Sequence, residues 1–444
     1  MKKHHLFASL LVLLSTCLQA QNKQEISGQV ISTNDSTFLE FAHIYIKNGF
    51  IGTYTNAEGK FTLNYPDSLA QDTLVVSRIG YGNIMLPLIA QDTSRSLSIY
   101  VPESSNYLDE VVITTQKDTV AAFVKKVLRR FRKNYPTKLH YLEGFYRELS
   151  LKGDNYTRLI EASIGITENS YRKDETTTKI KIKQIRKSED YRAYDVKRQL
   201  WSAAMKKMMK IGFDWQDYNS IRKLLGTNIA KMDHRKILLF AQENDFIDAF
   251  DFTITKVSIE NGNKLYHITF QTDPSTTSPL NHYGGEIIIN VDDSAIIEWK
   301  YRGMPHPYKT MARYDFMYYK GKFAFQNHII YSKFGDKYYP TFFEVYKPIL
   351  EASNHVYENG REEYQFDKMT FMVNQIITKK RDFDRIKKRE ALEDELDLYD
   401  VEHPYDAGFW VNYNILLIDP LLKPTIEDLE KEKSLDEQFE SNGE

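Results

Sequence analysis

The sequence predicts a mainly β protein (α+β overall), in which a small N-terminal β-sandwich precedes a large curved antiparallel sheet covered by a helix. Three observations support this fold class. Aromatic residues make up 13% of the 444 residues, with 30 Tyr and 25 Phe, and such side chains favour strands. Short apolar runs alternate with turn residues along most of the chain. One segment, by contrast, has apolar residues at strong helical spacing.

The composition indicates a folded protein of two or three domains, because 42% of the residues are hydrophobic and 27% are charged. The formal net charge is −2. Nucleic acid is excluded as the main partner, since phosphate binding needs a concentrated basic surface. Beyond the first residues, no apolar run is long enough for a transmembrane helix, so we expect membrane association to be peripheral at most.

Residues 1–20 have the pattern of a secretory signal peptide. Lys2 and Lys3 precede an apolar core at 6–14, and Ala20 supplies the small residue at the cleavage position. We therefore expect export to the periplasm or the outer-membrane periphery, with cleavage after Ala20. The alternative is lipoprotein processing at Cys17. Because Cys17 is the sole cysteine, cleavage after Ala20 would leave a mature chain without disulfide or thiolate chemistry.

Residues 24–102 predict a compact β-sandwich. Short strand-like runs in this region are separated by turn residues such as Asn56 and Gly59. Many short strands within so few residues are typical of two small packed sheets. Gly59 suits a turn position that needs a positive φ, and Gly80 suits a close approach of the backbone.

Five stretches of this region carry a family resemblance. Together they resemble the carboxypeptidase-regulatory-like domain, a transthyretin-like sandwich that is abundant in envelope proteins of Bacteroidetes-type bacteria. Asn56 departs from the family, which usually has Asp at that position. The resemblance implies a sandwich that serves as an interaction module. The stretches are Ser27-Gly28-Gln29-Val30, 39–42, 52–56, Gly59 with Phe61, and 77–81.

Residues 103–117 are predicted to form a linker. Within it, the sequence Leu-Asp-Glu-Val-Val-Ile-Thr at 108–114 resembles the segment that joins this domain to the plug in TonB-dependent receptors of those bacteria. An ordinary linker strand is the alternative interpretation. The rest of the chain is too short for a plug and a large barrel. The resemblance would therefore imply an accessory component of a TonB-dependent uptake system.

The segment 119–134 is the clearest predicted helix, and Tyr135-Pro136 ends it. Its apolar stripe is wide enough to need burial, so we expect it to cover the large sheet. The opposite face is basic and is expected to lie in solvent, with Arg130 and Lys133 as examples; a patch for anionic lipid is the alternative. The stripe consists of Val120, Phe123, Val124, Val127, Leu128 and Phe131.

Residues 118–425 are predicted to form one antiparallel β domain, with helical insertions at about 197–225. After residue 250, turn pairs such as Asn261-Gly262 separate runs in which apolar and polar residues alternate, so one face should be buried. A curved sheet with one covering helix resembles LolA-like lipoprotein carriers, as an architectural analogy without a shared motif. The charged stretch 379–395 predicts an exposed helix, and 426–444 an acidic C-terminal tail.

Four aromatic residues on this sheet are candidate ligand contacts. They fall on the apolar face of two predicted strands, and an aromatic concavity suits a lipid or another amphipathic molecule. The alternative is that all four are ordinary core residues. The candidates are Tyr266, Phe270, Trp299 and Tyr301.

The sequence contains no recognisable catalytic or metal motif. His140 and Glu143 match the His-x-x-Glu pair of zinc carboxypeptidases, but residues three apart on a strand point to opposite faces and cannot share a metal. Glu143, Glu148 and Glu161 lie on neighbouring predicted strands, where exposed strand charges explain them better than a glycosidase pair. We therefore assign no catalytic, metal-binding or cofactor-binding residues and expect no cofactor.

The sequence as a whole predicts a non-enzymatic cell-envelope binding or structural protein, whose large β domain binds a lipid or another amphipathic ligand. The expected partner is that ligand or another envelope protein. Two alternatives remain open at this point. The first is the accessory component of a TonB-dependent system, and the second is a hydrolase with an unrecognised site.

Overall fold

The computed structural model describes residues 23–104, 117–152, 155–168, 178–192, 219–228, 237–239, 242–244, 246–272, 283–303, 326–348, 356–358, 361–363, 365–394, 396–418 and 423–442. The predicted signal peptide with Cys17, the segment 108–114 and the helical insertion at 197–211 lie outside the described residues.

The described residues form strands over most of their length, as predicted. The strands are β1 Lys23–Ser32, β2 His43–Ile46, β3 Ile51–Tyr54, β4 Lys60–Pro66, β5 Thr73–Ser77, β6 Ile84–Pro87, β7 Leu97–Val101, β8 His140–Lys152, β9 Asn155–Glu168, β10 Lys179–Lys187, β11 Ile237–Leu239, β12 Gln242–Asn244, β13 Asp251–Glu260, β14 Asn263–Gln271, β15 Tyr283–Asn290, β16 Ala295–Gly303, β17 Gln326–Phe334, β18 Lys337–Pro348, β19 Val356–Glu358, β20 Arg361–Glu363 and β21 Gln365–Ile377. The α-helices are α1 Lys117–Arg129, α2 Phe131–Asn134, α3 Ser220–Gly226, α4 Phe246–Ala249, α5 Ala407–Val411, α6 Lys423–Leu429 and α7 Leu435–Ser441.

The N-terminal region consists of two facing layers. One is a mixed sheet of order β4-β1-β7, in which β1 is antiparallel to β4 and parallel to β7. The other contains β3, β2, β5 and β6 in antiparallel order. Alternate residues of both layers, such as Val30 and Phe61 on one side and Ile44 and Val76 on the other, are buried in one core. This arrangement confirms the small sandwich.

The turn before β4 has the predicted backbone. Gly59 has a φ of 68°, in the left-handed region that glycine adopts without a Cβ clash. Gly80, between β5 and β6, also has a positive φ, 91°, but the predicted close approach of the backbone is wrong, because an added Cβ would meet no atom within 4 Å. The Asn56 side-chain oxygen accepts hydrogen bonds from the backbone N–H groups of Glu58 and Lys60, at 3.1 and 2.9 Å. The amide thus closes the turn in the way an aspartate would, so the departure from the family costs this turn nothing.

The large sheet is antiparallel and curls into a half-barrel. Its strands follow the order β13-β14-β15-β16-β17-β18-β21-β8-β9-β10. The end of β21 also pairs with β3, through Gln375 opposite Ile51, so one layer of the small sandwich continues the large sheet. Among the described residues, this continuous sheet has 14 strands. The position of the domain boundary near residue 103 stays a prediction.

Helices α1 and α2 cover the inner face of the large sheet, as the sequence predicted. Val124, Val127 and Phe131 belong to one hydrophobic core with residues of the sheet from β9 to β21. Two hydrogen bonds fasten the end of α2 to the β15–β16 turn and to β16. The Asn134 amide donates to the carbonyl oxygen of Ser294 at 2.7 Å, and the Tyr135 hydroxyl donates to that of Ile296 at 2.6 Å.

Arg130 departs from the prediction of a solvated basic face. The helical segment is interrupted at this residue, and its guanidinium donates to the Ser294 hydroxyl at 3.1 Å. Arg130 is therefore half-buried at the turn, while Lys133 is exposed as predicted. Phe123 is only partly buried, because it lies at the margin of the sheet against Tyr266, with ring centroids 5.4 Å apart.

The small sandwich and residues 405–416 cover part of the outer face of the large sheet. The hydroxyl groups of Tyr54 and Thr341 form a hydrogen bond of 2.7 Å. Nδ1 of His43 lies 3.0 Å from the Ser332 hydroxyl. Burial lowers the pKa of His43 to about 3, so its ring is neutral at this junction. Trp410 packs beside Tyr54 in the same outer cluster.

One prediction for the C-terminal region is wrong. The charged stretch 379–395 was predicted to be an exposed helix, but its described residues 379–394 form an extended segment with 3₁₀ turns at Lys380–Asp382 and Lys388–Glu390. It follows the edge strand β10, where the Leu392 N–H donates to the Ile180 carbonyl at 2.7 Å. In the predicted acidic tail, the described residues up to 442 include α7 and the end of α6, which bury Phe439 and Leu429 against β8 and β9. Among the described residues, no helix has the length and apolar character to cross a bilayer.

We expect Phe131→Ala to lower the free energy of unfolding by about 3–5 kcal/mol, because a buried aromatic ring would leave a cavity under the sheet. Lys126→Ala is the matched control on the exposed side of α1 and should change stability by less than about 0.5 kcal/mol. Thermal and denaturant melts of the two variants measure this. Equal stability of Phe131→Ala and the wild type would show that the helix does not close the core.

Candidate functional site

An aromatic cluster lies on the inner face of the large sheet, where β14, β15 and β16 run side by side. Phe270 and Tyr301 are both opposite Gly285 in the strand register. A Cβ on Gly285 would come within 2.8 Å of the Phe270 ring, so the glycine leaves space for the two aromatic residues on either side. The Phe270 ring stacks on Trp299, with centroids 5.0 Å apart, and lies parallel to Tyr301 at 6.3 Å.

Helix α4 completes this cluster and was missed by sequence reasoning. Phe246 packs its ring against both Phe270 and Trp299, with centroids 5.4 and 5.6 Å away. Phe250, directly after the helix, lies 5.1 Å from Phe270. The run of Phe246, Phe250 and Phe252 in the sequence was an available signal, because one helical turn followed by a strand directs all three rings to one side.

The structure brings three of the four predicted contact residues together. Phe270 and Trp299 are 2% and 3% exposed, so both are core residues. Tyr301 is half-buried at the margin of the cluster, and burial raises the pKa of its hydroxyl. Tyr266 is also half-buried but lies apart, against Phe123 of α1. Their role in ligand binding stays a prediction.

At the aromatic end of this face, two buried polar atoms have no hydrogen-bond partner among the described residues. They are Nε1 of Trp299, a donor, and Oδ1 of Asn327, an acceptor. Asn327 is opposite Tyr301 in the register, so both atoms lie in or beside the aromatic cluster. A buried polar group without a partner costs free energy, which a bound molecule with a donor and an acceptor could offset.

The inner face carries charged residues at the end that is distant from the aromatic cluster. Glu148 accepts a hydrogen bond from the Tyr146 hydroxyl at 2.7 Å and pairs with the Arg158 guanidinium. Both charged residues are buried, at 3% and 2% exposed. Nearby, Ser150 donates to Asp367 at 2.7 Å. These residues lie on β8, β9 and β21.

One cross-strand row connects the aromatic and the charged regions. From Tyr301 to Glu148 it takes four strand steps, which corresponds to roughly 19 Å along the sheet at about 4.8 Å per strand. The inner face is therefore amphipathic along a single row, apolar at one end and ionic at the other. The row consists of Phe252, Phe270, Gly285, Tyr301, Asn327, Val345, Met369 and Glu148.

His140 and Glu143 point to opposite faces of β8. His140 is buried on the inner side, near Tyr339 and with Nε2 3.4 Å from a carboxylate oxygen of Glu168. Glu143 forms an ion pair with Lys183 at 2.5 Å on the outer side. The described part of the chain contains no group of three or more His, Cys, Asp and Glu residues that could hold a metal ion.

Glu161 is not an exposed strand charge, contrary to the expectation. It is buried on the outer face between Arg147 and Arg186, with contacts of 2.6 and 2.7 Å. Burial alone would raise the pKa of Glu161, but the two guanidinium groups lower it. The Arg147 guanidinium also donates to the carbonyl oxygen of Leu416 at 2.8 Å, which fastens the C-terminal segment to the sheet. Glu148 is likewise buried, so the carboxylates of this region form ion pairs.

The comparisons with known proteins bear on both parts of the chain. Residues 26–113 match the family described as CarboxypepD_reg-like domain, which confirms the resemblance of the N-terminal region. TonB-dependent receptor P3 from Formosa agariphila is 27% identical over 131 residues, which are 29% of this chain and 12% of that receptor. The chain thus spans about an eighth of the length of this curated relative.

Solved structures resemble the fold at a low level. A DUF1329 family protein from Desulfovibrio piger has 10% identity and a TM-score of 0.24, over 59% of this chain and 93% of that protein. A LolA superfamily protein from Nitrosomonas europaea has 6% identity and a TM-score of 0.21, over 62% of this chain and 99% of that protein. The predicted likeness to LolA-like structures is confirmed. At these scores it carries no argument about function.

We expect Trp299→Phe to be tolerated, because it keeps an aromatic ring in the stack and removes an indole N–H that lacks a partner among the described residues. Phe270→Ala should instead cost about 3–5 kcal/mol, since it empties the centre of the cluster. Denaturant melts of the two variants give the comparison. A loss in Trp299→Phe as large as in Phe270→Ala would show that the indole nitrogen makes an interaction essential to the fold.

Proposed function

We propose that this chain is a non-enzymatic protein of the cell envelope that binds an amphipathic ligand, such as a lipid chain, on the inner face of its large sheet. The observation that carries the proposal is the row from Phe252 to Glu148, which is aromatic at one end and ionic at the other. An acyl chain would lie against the aromatic cluster, and its polar head would lie towards Glu148 and Arg158. Apolar walls with a few placed polar groups are typical of ligand sites.

A location in the periplasm or at the outer-membrane periphery is part of this proposal. The signal-peptide pattern of residues 1–20 supports it, and so does the partial similarity to a TonB-dependent receptor. The CarboxypepD_reg-like domain would serve as an interaction module. Its contacts with the large sheet, through Tyr54 and His43, would hold it in a defined orientation relative to the ligand face.

Quenching of tryptophan fluorescence by a dibrominated stearic acid tests the site. Bromine atoms quench an indole that they approach closely, and Trp299 lies within the aromatic cluster. We expect saturable quenching in the full-length protein and loss of most of it in Trp299→Phe. Trp410→Phe is the matched control, because Trp410 is also buried and its Nε1 is also unpaired among the described residues, but it lies on the outer face.

The result that contradicts the proposal is equal quenching in the two variants, because the acyl chain would then bind elsewhere. An absence of saturable quenching in the wild type would also contradict it. Non-brominated stearic acid, at the same concentration, controls for changes in fluorescence that arise from binding without quenching.

A second candidate function is an accessory component of a TonB-dependent uptake system. The observation in its favour is the 131-residue similarity to a TonB-dependent receptor. Affinity purification of the chain from cross-linked envelopes should then recover a TonB-dependent receptor in stoichiometric amount. Recovery of the chain with lipid and without a receptor would favour the ligand-binding function instead.

A further inference from the structure

A half-enclosed cavity of about 260 Å³ lies on the outer face of the large sheet, opposite to the aromatic cluster. Strands β15, β16, β17 and β18 form its floor. One cross-strand row supplies most of its charged walls, with Glu286 opposite Lys300, Lys300 opposite His328, and His328 opposite Glu344. Arg302 and Gln326, which are exposed, also line the cavity. Gly285, Tyr301 and Asn327, which alternate with these residues along the same strands, complete the lining. The charged side chains that line the cavity lie on the face opposite to the aromatic cluster, and binding there does not depend on the function proposed for the inner face.

The charges around this cavity compensate one another. Glu298 is buried beneath it, with His328 Nε2 at 2.6 Å and the Lys300 ammonium at 3.2 Å from its Oε1 atom. Burial would raise the pKa of Glu298, but the hydrogen bond from His328 and these two neighbours hold it at about 2. Glu344 pairs with Lys368 at 2.9 Å. Glu298 therefore stays ionised and keeps His328 and Lys300 in place.

The small sandwich borders this cavity through Phe41. The Phe41 ring meets the His328 ring edge-on, with centroids 5.4 Å apart, and also packs on Phe342. Phe41 has a φ of 57°, in a region that aromatic residues rarely adopt. Backbone strain of this kind persists only where the surroundings specify it, and it clusters at functional sites. The strained residue thus lies directly beside a lining residue of the cavity.

We propose that this cavity binds a small neutral polyhydroxylated molecule, such as one sugar unit of a saccharide. The charges around the cavity balance, so neither an anion nor a cation would find a large net charge of opposite sign. The carboxylates are Glu286, Glu298 and Glu344, and the cations are Lys300, Arg302 and Lys368. The lining offers alternating donors and acceptors, which vicinal hydroxyl groups can satisfy because each hydroxyl both donates and accepts. The volume is near the lower end for small-molecule sites.

Saturation-transfer NMR and calorimetry on the full-length protein test this site, with D-glucose, D-galactose and D-mannose as probes. We expect saturable binding of at least one hexose. Glu286→Ala and Gln326→Ala should each weaken it about fivefold, the effect of losing one hydrogen bond. Both residues are exposed, so their replacement should leave the fold intact, and Glu344→Gln gives a third variant of unchanged size.

Thr253→Ala is the matched control, because Thr253 is exposed on the same face and in the same cross-strand row but outside the cavity. Its affinity should equal that of the wild type. The proposal is overturned if none of the three hexoses binds saturably, if Glu286→Ala and Gln326→Ala bind as the wild type does, or if inorganic phosphate or acetate binds more tightly than the hexoses. Quenching at Trp299 should be the same in all these variants, which separates this site from the inner one.

Discussion

The rest of the structure depends on the pairing of strand β21. This strand spans 13 residues and pairs with β18 along one edge and with β8 along the other. Beyond that, its end contacts β3 of the small sandwich. It therefore joins the two halves of the large sheet, β8–β10 and β13–β18, and it connects both to the N-terminal region. Val373 and Phe371 on this strand belong to the inner core, while Met372 belongs to the outer cluster.

A long sheet with apolar residues on both faces needs cover on both, and separate parts of the chain supply it. Helices α1 and α2 bury the inner face. The small sandwich and the segment 405–416 bury the outer face around Phe342 and Met372. The outer cover is fastened by the ion pairs of Glu161 with Arg147 and Arg186. A buried charge costs free energy unless it is paired. Removing one of these three side chains would therefore destabilise the protein, because it would leave a buried charge without its partner.

The two faces of the sheet differ in their chemistry because strand residues alternate. On β16, Trp299 and Tyr301 pack in the aromatic cluster of the inner core, whereas Lys300 and Arg302 between and after them line the polar cavity, which Tyr301 also borders. The same strand thus carries an apolar surface and an ionic one, separated by a single backbone layer. This alternation places two candidate sites back to back while keeping their electrostatics apart.

The sequence by itself determined the features that depend on neighbouring residues. The stripe of α1, the alternation along β14 and β16, and the positive φ of Gly59 are local, because a period or a turn is set within a few residues. The choice of Phe270, Trp299 and Tyr301 as neighbours on one face also followed from alternation and the order of the strands. The resemblance of residues 26–113 rested on short motifs of the same local kind.

Only the tertiary structure decided which distant residues meet. The space at Gly285, the ring of Phe246 above the cluster and the pairing of Glu161 with Arg186 all arise from contacts between separate strands and helices. For the same reason residues 379–394 of the charged stretch are extended rather than helical. Its backbone finds a partner in the edge strand β10, and a segment with few apolar residues has no helical stripe to bury. Burial of a charge depends on a partner elsewhere in the chain, which no local pattern can specify.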